Sequence, residues 1–279
     1  RGNFPMWVRN QRNSRHGVDF GYNLHGFSPA VYYRRYCESL LAVDDGVGKL
    51  RKALNDRNLA DNTLIVYMGD NGLQFGDHGL IDKRVAYEAS ARVPLILAGP
   101  GIPAGCRDSD LIGNIDIAPT LLDAAGVTAD AWSEKLPGDR QIQFDGVSAW
   151  GSIGNASGNG PRSELLYEYY WERNYPHTPT LHAVIGGRYK FIRCHGLWDR
   201  EEFYDLQQDP GEMQNLMTEP EHAARIAEHR TALWKMLSET GGDAIPLLAD
   251  EGPVFPARDA AASGPAAFPD EFLVPSQPK

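Results

Sequence analysis

The sequence lacks several features that would assign it directly to a class of protein. No stretch approaches the roughly 18 consecutive apolar residues that a membrane-spanning helix requires, so we predict no membrane span. Three cysteines among 279 residues cannot form a disulfide framework. Basic residues are in the minority, at 27 Lys and Arg against 37 Asp and Glu, and the net charge of −10 argues against a nucleic-acid partner.

The sequence does contain the alternation of helices and strands that is typical of an α/β protein. Ser28-Pro29 is a helix start, and apolar residues recur at helical spacing as far as Leu54, which predicts an amphipathic helix over about residues 30–57. The apolar runs Thr63–Met68 and Val93–Leu97 predict two buried strands of the kind found in parallel sheets. A polar loop follows the first strand, at the position where ligands bind in such sheets.

The character of the sequence changes after a loop rich in Gly, Ser and Asn at residues 150–162. Four short apolar runs between Leu165 and Leu206 predict a small antiparallel sheet, and Pro220 to Glu239 predicts one last helix. We therefore predict an α/β region at 1–160, an antiparallel-sheet subdomain at 161–245 and a Pro/Ala-rich tail at 246–279. Residues 1–27 show no apolar period and are predicted to be loop.

One short stretch concentrates the residues that could carry chemistry. Gly69-Asp70-Asn71-Gly72 is followed closely by Gly76-Asp77-His78-Gly79 and by Lys83-Arg84. Oxygens of Asp and Asn suit Ca²⁺ or Mg²⁺, a histidine can exchange a proton near neutral pH, and a lysine can neutralise an oxyanion. The alternative is that Asp-Asn-Gly is a turn in a solvated loop. The presence of His78 and Lys83 on the same loop favours a functional site.

The motifs in and around this stretch resemble the C-terminal half of the sulfatase family. They read YMGDNG, GDHGLIDKRVAYE, VPLILAGPGI, NIDIAPTLLDAAGV and EEFYDLQQDPGEMQNL, in the order of the family. The resemblance covers about residues 31–240. It implies a sulfuric ester hydrolase that acts on sulfated glycans. Two of the segments, DKR…YE and VPL…GPGI, most resemble enzymes that remove the 6-sulfate of N-acetylglucosamine.

The resemblance also implies a fold. Members of the family are α/β proteins with a large mixed sheet flanked by helices. A smaller C-terminal subdomain carries four antiparallel strands and one helix. The same order of elements follows from the apolar patterns of this chain alone.

Roles for individual residues follow from the resemblance. Asp70 and Asn71 match two ligands of the single Ca²⁺ of the family. Lys83 matches the lysine that contacts the substrate sulfate, and His78 matches a histidine near the substrate. The resemblance thus predicts Asp70 and Asn71 as metal ligands, and Lys83 and His78 as catalytic residues.

Three further residues are weaker candidates for contacts with a sulfated saccharide. Arg84 could bind a sulfate or a uronic acid carboxylate, and the alternative is a surface cation. His182 and His195 flank the predicted C-terminal hairpin, which borders the substrate pocket in the family. For these two histidines the alternative is packing and a polar surface.

The chain also departs from the family pattern. Sulfatases use a cysteine or serine oxidised to formylglycine, in a Cys-X-Pro-Ser-Arg or similar motif, as the nucleophile. None of Cys37, Cys106 and Cys194 lies in such a motif. The other metal ligands of the family are also missing, and they precede the matched part of the family. We therefore expect a fragment that lacks the N-terminal half of the domain, binds Ca²⁺ weakly and is inactive alone.

Two other functions would also fit parts of the sequence. Phosphonate monoester and phosphodiester hydrolases share the fold but tend to carry Asp-His with a transition metal, whereas Asn71 favours a hard cation. A non-catalytic sulfatase-like binding protein would also explain the absent nucleophile. Sulfatases that degrade glycans are commonly exported, which implies a periplasmic, extracellular or lysosomal location.

Overall fold

A computed structural model gives the fold of the chain. It describes residues 4–11, 17, 28–127, 144–154, 160–172, 178–195 and 201–242. The chain forms two compact units, of which the first comprises Arg1–Pro100, Leu166–Val184 and Arg188–Lys279, and the second Gly101–Leu165 and Ile185–Gly187. The predicted limits at residues 160 and 245 stay a prediction, and the predicted tail lies outside the described residues.

The first helix, α1 (Met6–Gln11), shows that the prediction of a continuous loop over residues 1–27 is wrong. Trp7 and Val8 are buried on this helix, and Phe4 is buried just before it. The three apolar residues follow helical spacing, but a helix of six residues is too short to produce a recognisable period in the sequence.

The second helix, α2 (Pro29–Asp56), confirms the predicted helix over residues 30–57 to within a residue. The Ser28 hydroxyl caps it by accepting a hydrogen bond from the backbone N–H of Val31. The predicted apolar face, however, is not covered, since α2 contributes no fully buried residue. Leu50 is 68% exposed on this face, and several of its neighbours are also exposed.

The strands that flank the candidate site are β1 (Ile65–Met68) and β2 (Leu95–Ala98). They pair antiparallel, from Ile65 opposite Ala98 to Met68 opposite Leu95, so the predicted parallel arrangement is wrong. The segment between them, residues 69–94, contains a short 3₁₀ turn and the four-residue helix α3 (Glu88–Ala91). It is longer than the roughly dozen residues that a parallel crossover needs, so its length does not decide the direction of the strands. An apolar run in the sequence predicts a strand without fixing its direction.

The C-terminal subdomain is a four-stranded sheet with one helix, as predicted. The strands, in the spatial order β3-β4-β5-β6, are β3 (Glu164–Tyr169), β4 (Leu181–Gly186), β5 (Tyr189–Cys194) and β6 (Glu201–Asp205). The last helix runs over Ala223–Thr240 after a short turn of 3₁₀-helix, and we label it α5. Ile226, Leu233 and Leu237 on α5 pack in one buried cluster with strand residues.

The second unit contains the short helix α4 (Ile117–Ala124). Asp116 precedes it, but the buried carboxylate accepts hydrogen bonds from the backbone N–H groups of Gly113 and Val147 instead of capping α4. Arg162 forms an ion pair with the same carboxylate. No helix in the described part of the chain is long and apolar enough to cross a membrane.

The mixture of helices and strands confirms the predicted α/β class. The sheets of the described residues are the two-stranded β1–β2 pair and the four-stranded C-terminal sheet. β1 ends at the loop that carries the candidate site, and the C-terminal sheet supplies the side chains packed beneath that loop.

Candidate functional site

Strand β1 delivers Asp70 and Asn71 to an exposed loop through Gly69. The backbone N–H of Asn71 donates to Asp70 Oδ1 at 2.9 Å. The Asn71 side-chain amide donates to the carbonyl oxygen of Gly72 at 2.9 Å. This second bond fixes the orientation of the amide group, so the side-chain oxygen of Asn71 faces away from Gly72.

The loop lies close against helix α3 at Gly72. The backbone N–H of Gly72 donates to the carbonyl oxygen of Ser90 at 2.8 Å. A Cβ atom at position 72 would lie 2.0 Å from the carbonyl oxygen of Ala89. This close approach requires glycine, which explains why the residue after the Asp-Asn pair has no side chain.

Lys83 lies beside this pair. Its ammonium Nζ donates to Asn71 Oδ1 at 2.7 Å, and both side chains are exposed. The structure therefore brings together three of the four predicted main site residues, Asp70 and Asn71 directly and Lys83 through this bond. An anionic ligand could reach the ammonium group from solvent, and a cation could reach the Asp70 carboxylate.

The side-chain oxygens at this position are of the chemical type that a hard cation prefers. Asp70 and Asn71 supply a carboxylate and an amide oxygen, and Asn71 Oδ1 already accepts from a positive group, the Lys83 ammonium. Ca²⁺ takes about six to eight oxygen ligands. No group of three or more His, Cys, Asp or Glu residues in the described part of the chain is placed to hold a metal. The two described donors are therefore fewer than the ligands that Ca²⁺ requires, and the predicted Ca²⁺ site stays a prediction.

His78 has a different environment. It lies on a short 3₁₀ turn, Asp77–Gly79, with a left-handed backbone at φ 55°. Its ring stacks on Tyr87 at a centroid distance of 3.9 Å and meets Phe4 edge-on at 4.7 Å. Its Nε2 lies 3.2 Å from the carbonyl oxygen of Glu212. Burial lowers the pKa of His78 below its usual range.

Beneath the loop lies a buried ion cluster that the sequence did not predict. Lys190 on β5 is 0% exposed, and its ammonium donates to Glu88 Oε1 at 2.7 Å, to Glu212 Oε1 at 2.8 Å and to the carbonyl oxygen of Ala86 at 2.8 Å. Glu212 also accepts from the backbone N–H of Glu88 at 2.6 Å. A lysine within an apolar strand was the available signal, because a buried lysine requires carboxylate partners.

A second buried carboxylate adjoins this cluster. Glu202 on β6 accepts hydrogen bonds from the hydroxyl groups of Tyr87 at 2.7 Å and Tyr204 at 2.6 Å. Burial raises the pKa of Glu202 to about 7. The hydroxyl of Tyr87 therefore anchors the ring on which His78 stacks.

Arg84 is paired within the protein. Its guanidinium donates to Asp82 Oδ1 at 2.7 Å and to Glu172 Oε1 at 3.2 Å, and its side chain is 17% exposed. Two carboxylates therefore compensate its charge, and it is not an isolated surface cation. Its predicted contact with a substrate stays a prediction.

His182 and His195 form a buried pair. His182 Nδ1 lies 2.9 Å from His195 Nε2, and both residues are buried. Burial lowers the pKa of His182 to about 4, so this ring is neutral at physiological pH. The placement favours packing over an open polar surface, and the predicted contact of either residue with a saccharide stays a prediction.

Comparisons with known proteins identify relatives of this chain. A N-acetylglucosamine-6-O-sulfatase of Bacteroides thetaiotaomicron is 36% identical over 213 residues, covering 75% of this chain and 35% of the relative. A solved structure of a protein in complex with its substrate D-glucosamine-2-N,6-O-disulfate has a TM-score of 0.66 at 32% identity, and the match covers 77% of this chain and 42% of that protein. A 2-O glycosaminoglycan sulfatase structure has a TM-score of 0.71 at 25% identity, covering 95% and 56% respectively.

The chain spans about a third of the length of this first relative. Two family descriptions match it: Sulfatase over residues 8–127, and N-sulphoglucosamine sulphohydrolase, C-terminal, over residues 76–239. The second match alone covers more than half of the chain. Together the two matches include all the residues of the candidate site. The chain therefore belongs to the sulfatase family.

Proposed function

We propose that this chain carries part of the cation- and sulfate-binding site of a sulfuric ester hydrolase that acts on the 6-sulfate of N-acetylglucosamine or of related glycans. The observation that carries the proposal is the 2.7 Å bond between Lys83 Nζ and Asn71 Oδ1, which sets an exposed ammonium beside two hard oxygen donors. The substrate class follows the names of the similar proteins, a N-acetylglucosamine-6-O-sulfatase and an enzyme with a 6-O-sulfated glucosamine substrate.

Each residue of the site has a defined part. Asp70 and Asn71 would hold Ca²⁺, which supplies positive charge to the sulfate oxygens when it is bound. The Lys83 ammonium binds a sulfate oxygen as a point charge and opposes the negative charge that develops on it. An acid–base role for His78 would require a free ring nitrogen, whereas its Nε2 contacts the Glu212 carbonyl and its Nδ1 is buried.

We expect no turnover by the 279-residue chain itself. Covalent catalysis by a formylglycine needs a cysteine or serine in the required motif, and the sequence contains neither Cys-X-Pro-Ser-Arg nor Ser-X-Pro-Ser-Arg. Incubation with p-nitrophenyl sulfate and Ca²⁺ should therefore release no p-nitrophenol above the rate of a buffer blank. Catalytic release by the purified chain would contradict this expectation.

A ligand titration followed by ¹⁵N NMR tests the proposed binding function. N-acetylglucosamine 6-sulfate with Ca²⁺ should shift the amide signals of Asn71, Gly72 and Lys83, whereas unsulfated N-acetylglucosamine should leave them unchanged. A phosphonate monoester serves as the competing ligand class. Stronger shifts with the phosphonate than with the sulfate ester, or no shifts at these residues with the sulfate ester, would overturn the proposal.

A further inference from the structure

We propose that His78 is a positioning residue. Its contact with Glu212 anchors the loop 72–83 to the segment that follows β6, and this anchoring maintains the hydrogen bond between Lys83 and Asn71. This inference rests on the proposed function for the roles of Asn71 and Lys83. The anchoring itself rests on the geometry of His78, Tyr87 and Glu212.

The first observation is backbone conformation. Among the described residues other than glycine, only Asn58, His78 and Glu212 have a positive φ, of 54°, 55° and 53°. Two of these three are bonded to each other, since His78 Nε2 contacts the Glu212 carbonyl at 3.2 Å. Such left-handed backbones are sparsely populated and persist only where the surroundings hold them. The contact between His78 and Glu212 thus joins two segments that are each held in an unfavourable conformation.

The second observation is what holds Glu212. One carboxylate oxygen accepts from the Lys190 ammonium at 2.8 Å, and the other accepts from the backbone N–H of Glu88 at 2.6 Å. Lys190 is fully buried on β5, so the position of Glu212 is tied to the C-terminal sheet. The carbonyl that faces His78 is therefore a fixed acceptor.

The third observation is the state of the imidazole. A carbonyl oxygen only accepts, so the Nε2 that faces Glu212 carries the proton. In the neutral ring Nδ1 is then unprotonated, and it is buried without a hydrogen-bond partner among the described residues. One face of the ring is occupied by Tyr87 at 3.9 Å. A ring enclosed in this way fixes the loop and does not exchange protons with a bound ligand.

The geometry of the loop explains how His78 acts at a distance. The backbone N–H of Gln74 donates to the Asp82 carbonyl at 2.7 Å, so the two arms of the loop are bonded near its base. The turn at its tip, where Gly76 N–H donates to the Leu80 carbonyl at 2.8 Å, presents His78 to Glu212. His78 anchors the tip of the loop, and the bond between Gln74 and Asp82 pairs its two arms. Together these contacts maintain the distance between Asn71 and Lys83 at the two ends of the loop.

Hydrogen exchange measured by mass spectrometry tests the anchor on the full chain. His78→Phe keeps an aromatic ring for Tyr87 but removes the N–H donor to Glu212. Exchange of peptides covering residues 72–85 should become about tenfold faster, the factor expected for the loss of one net hydrogen bond. His78→Gln, which keeps a donor near the Nε2 position, should show a smaller increase.

A matched control is His229→Phe on α5. His229 also bonds a backbone carbonyl, that of Arg225 at 2.8 Å, and it packs against Phe203 outside the loop. This variant should leave the exchange of residues 72–85 unchanged. Equal exchange of the loop in His78→Phe and in the unaltered chain would overturn the inference, as would an equal acceleration in His229→Phe.

Two further measurements separate this inference from the proposed function. The ¹⁵N shifts of the His78 ring in the unaltered chain should show the single tautomer protonated at Nε2, and a mixture of tautomers would overturn the anchor even if His78→Phe failed to fold. Affinity for N-acetylglucosamine 6-sulfate should fall about tenfold in His78→Phe, in step with the faster exchange. If the unaltered chain binds no sulfate ester while His78→Phe still loosens the loop, the proposed function fails and the anchoring stands.

Discussion

At the scale of single residues, the buried ammonium group of Lys190 joins segments that are far apart along the chain, because it pairs with the carboxylates of Glu88 and Glu212. The sequence context of Lys190 is an apolar strand, and the sequence gives no indication that Glu88 and Glu212, which are distant along the chain, meet its ammonium group. Asp70, Asn71 and Lys83 were predicted because they lie near one another in a loop with recognisable motifs. The environment of His78 was not predicted, because it depends on Phe4 and Glu212 from remote segments.

Replacement of Lys190 by methionine should destabilise the chain strongly. Lys190→Met leaves the buried Glu212 carboxylate without its cation, which costs about 3–5 kcal/mol of unfolding free energy. Urea unfolding followed by circular dichroism measures this cost. Lys235→Met is the control, because Lys235 is 72% exposed and pairs with the exposed Glu239 at 3.8 Å, so its loss should cost less than about 1 kcal/mol. Similar losses in the two variants would show that the cluster does not stabilise the fold.

Glu202 should make stability depend on pH. Its folded pKa is about 7 against an ordinary value of 4.5, so the folded chain retains a proton that the unfolded chain releases. The resulting stabilisation is complete below pH 4.5 and is lost as the pH rises to 7, by about 3 kcal/mol in total. Glu202→Gln cannot titrate at this position, so its unfolding free energy should fall by about 3 kcal/mol less between pH 4.5 and 7 than that of the unaltered chain. Parallel profiles for Glu202→Gln and the unaltered chain, from urea unfolding at several pH values, would contradict the assignment.

At the scale of elements, the local sequence predicts where helices and strands begin and end better than it predicts which other elements they pair with or pack against. The bounds of α2 and of the strands follow from caps and apolar runs, and the structure agrees to within two residues in most cases. The direction of β2 and the environment of α2 depend on other segments, which local patterns do not encode. Val47, Leu50 and Leu54 of α2 line an apolar groove of about 580 Å³ together with residues of β1. A face of this kind is typical of an interaction surface or a site of aggregation.

The exposed face of α2 should promote self-association. Val43→Lys combined with Leu50→Lys places two charges on this face and should reduce both the binding of the dye ANS and the fraction of oligomer in size-exclusion chromatography. The control, Asp44→Asn with Asp45→Asn, makes the same change in net charge on exposed positions of the same helix and should alter neither quantity. If both double variants behave alike, net charge and not the apolar face controls association.

At the scale of the whole molecule, family membership rests on more than half of the chain, and the C-terminal subdomain has the predicted order of elements. The structure places the exposed oxygens of Asp70 and Asn71 beside the ammonium of Lys83, and we propose that they bind a cation and a sulfate. The buried cluster around Lys190 links the loop 72–83 to the C-terminal sheet. Sulfate binding at Lys83 is therefore the central claim.

Calorimetric titration of the chain with N-acetylglucosamine 6-sulfate in the presence of Ca²⁺ tests that claim most directly. Lys83→Met should weaken binding by at least about tenfold, because a charge-assisted hydrogen bond to the sulfate contributes roughly 1.5–3 kcal/mol. Lys49→Met, which removes an exposed lysine of α2, should leave the affinity unchanged. Equal affinities in Lys83→Met and the unaltered chain would contradict the assignment of this loop as the sulfate-binding site.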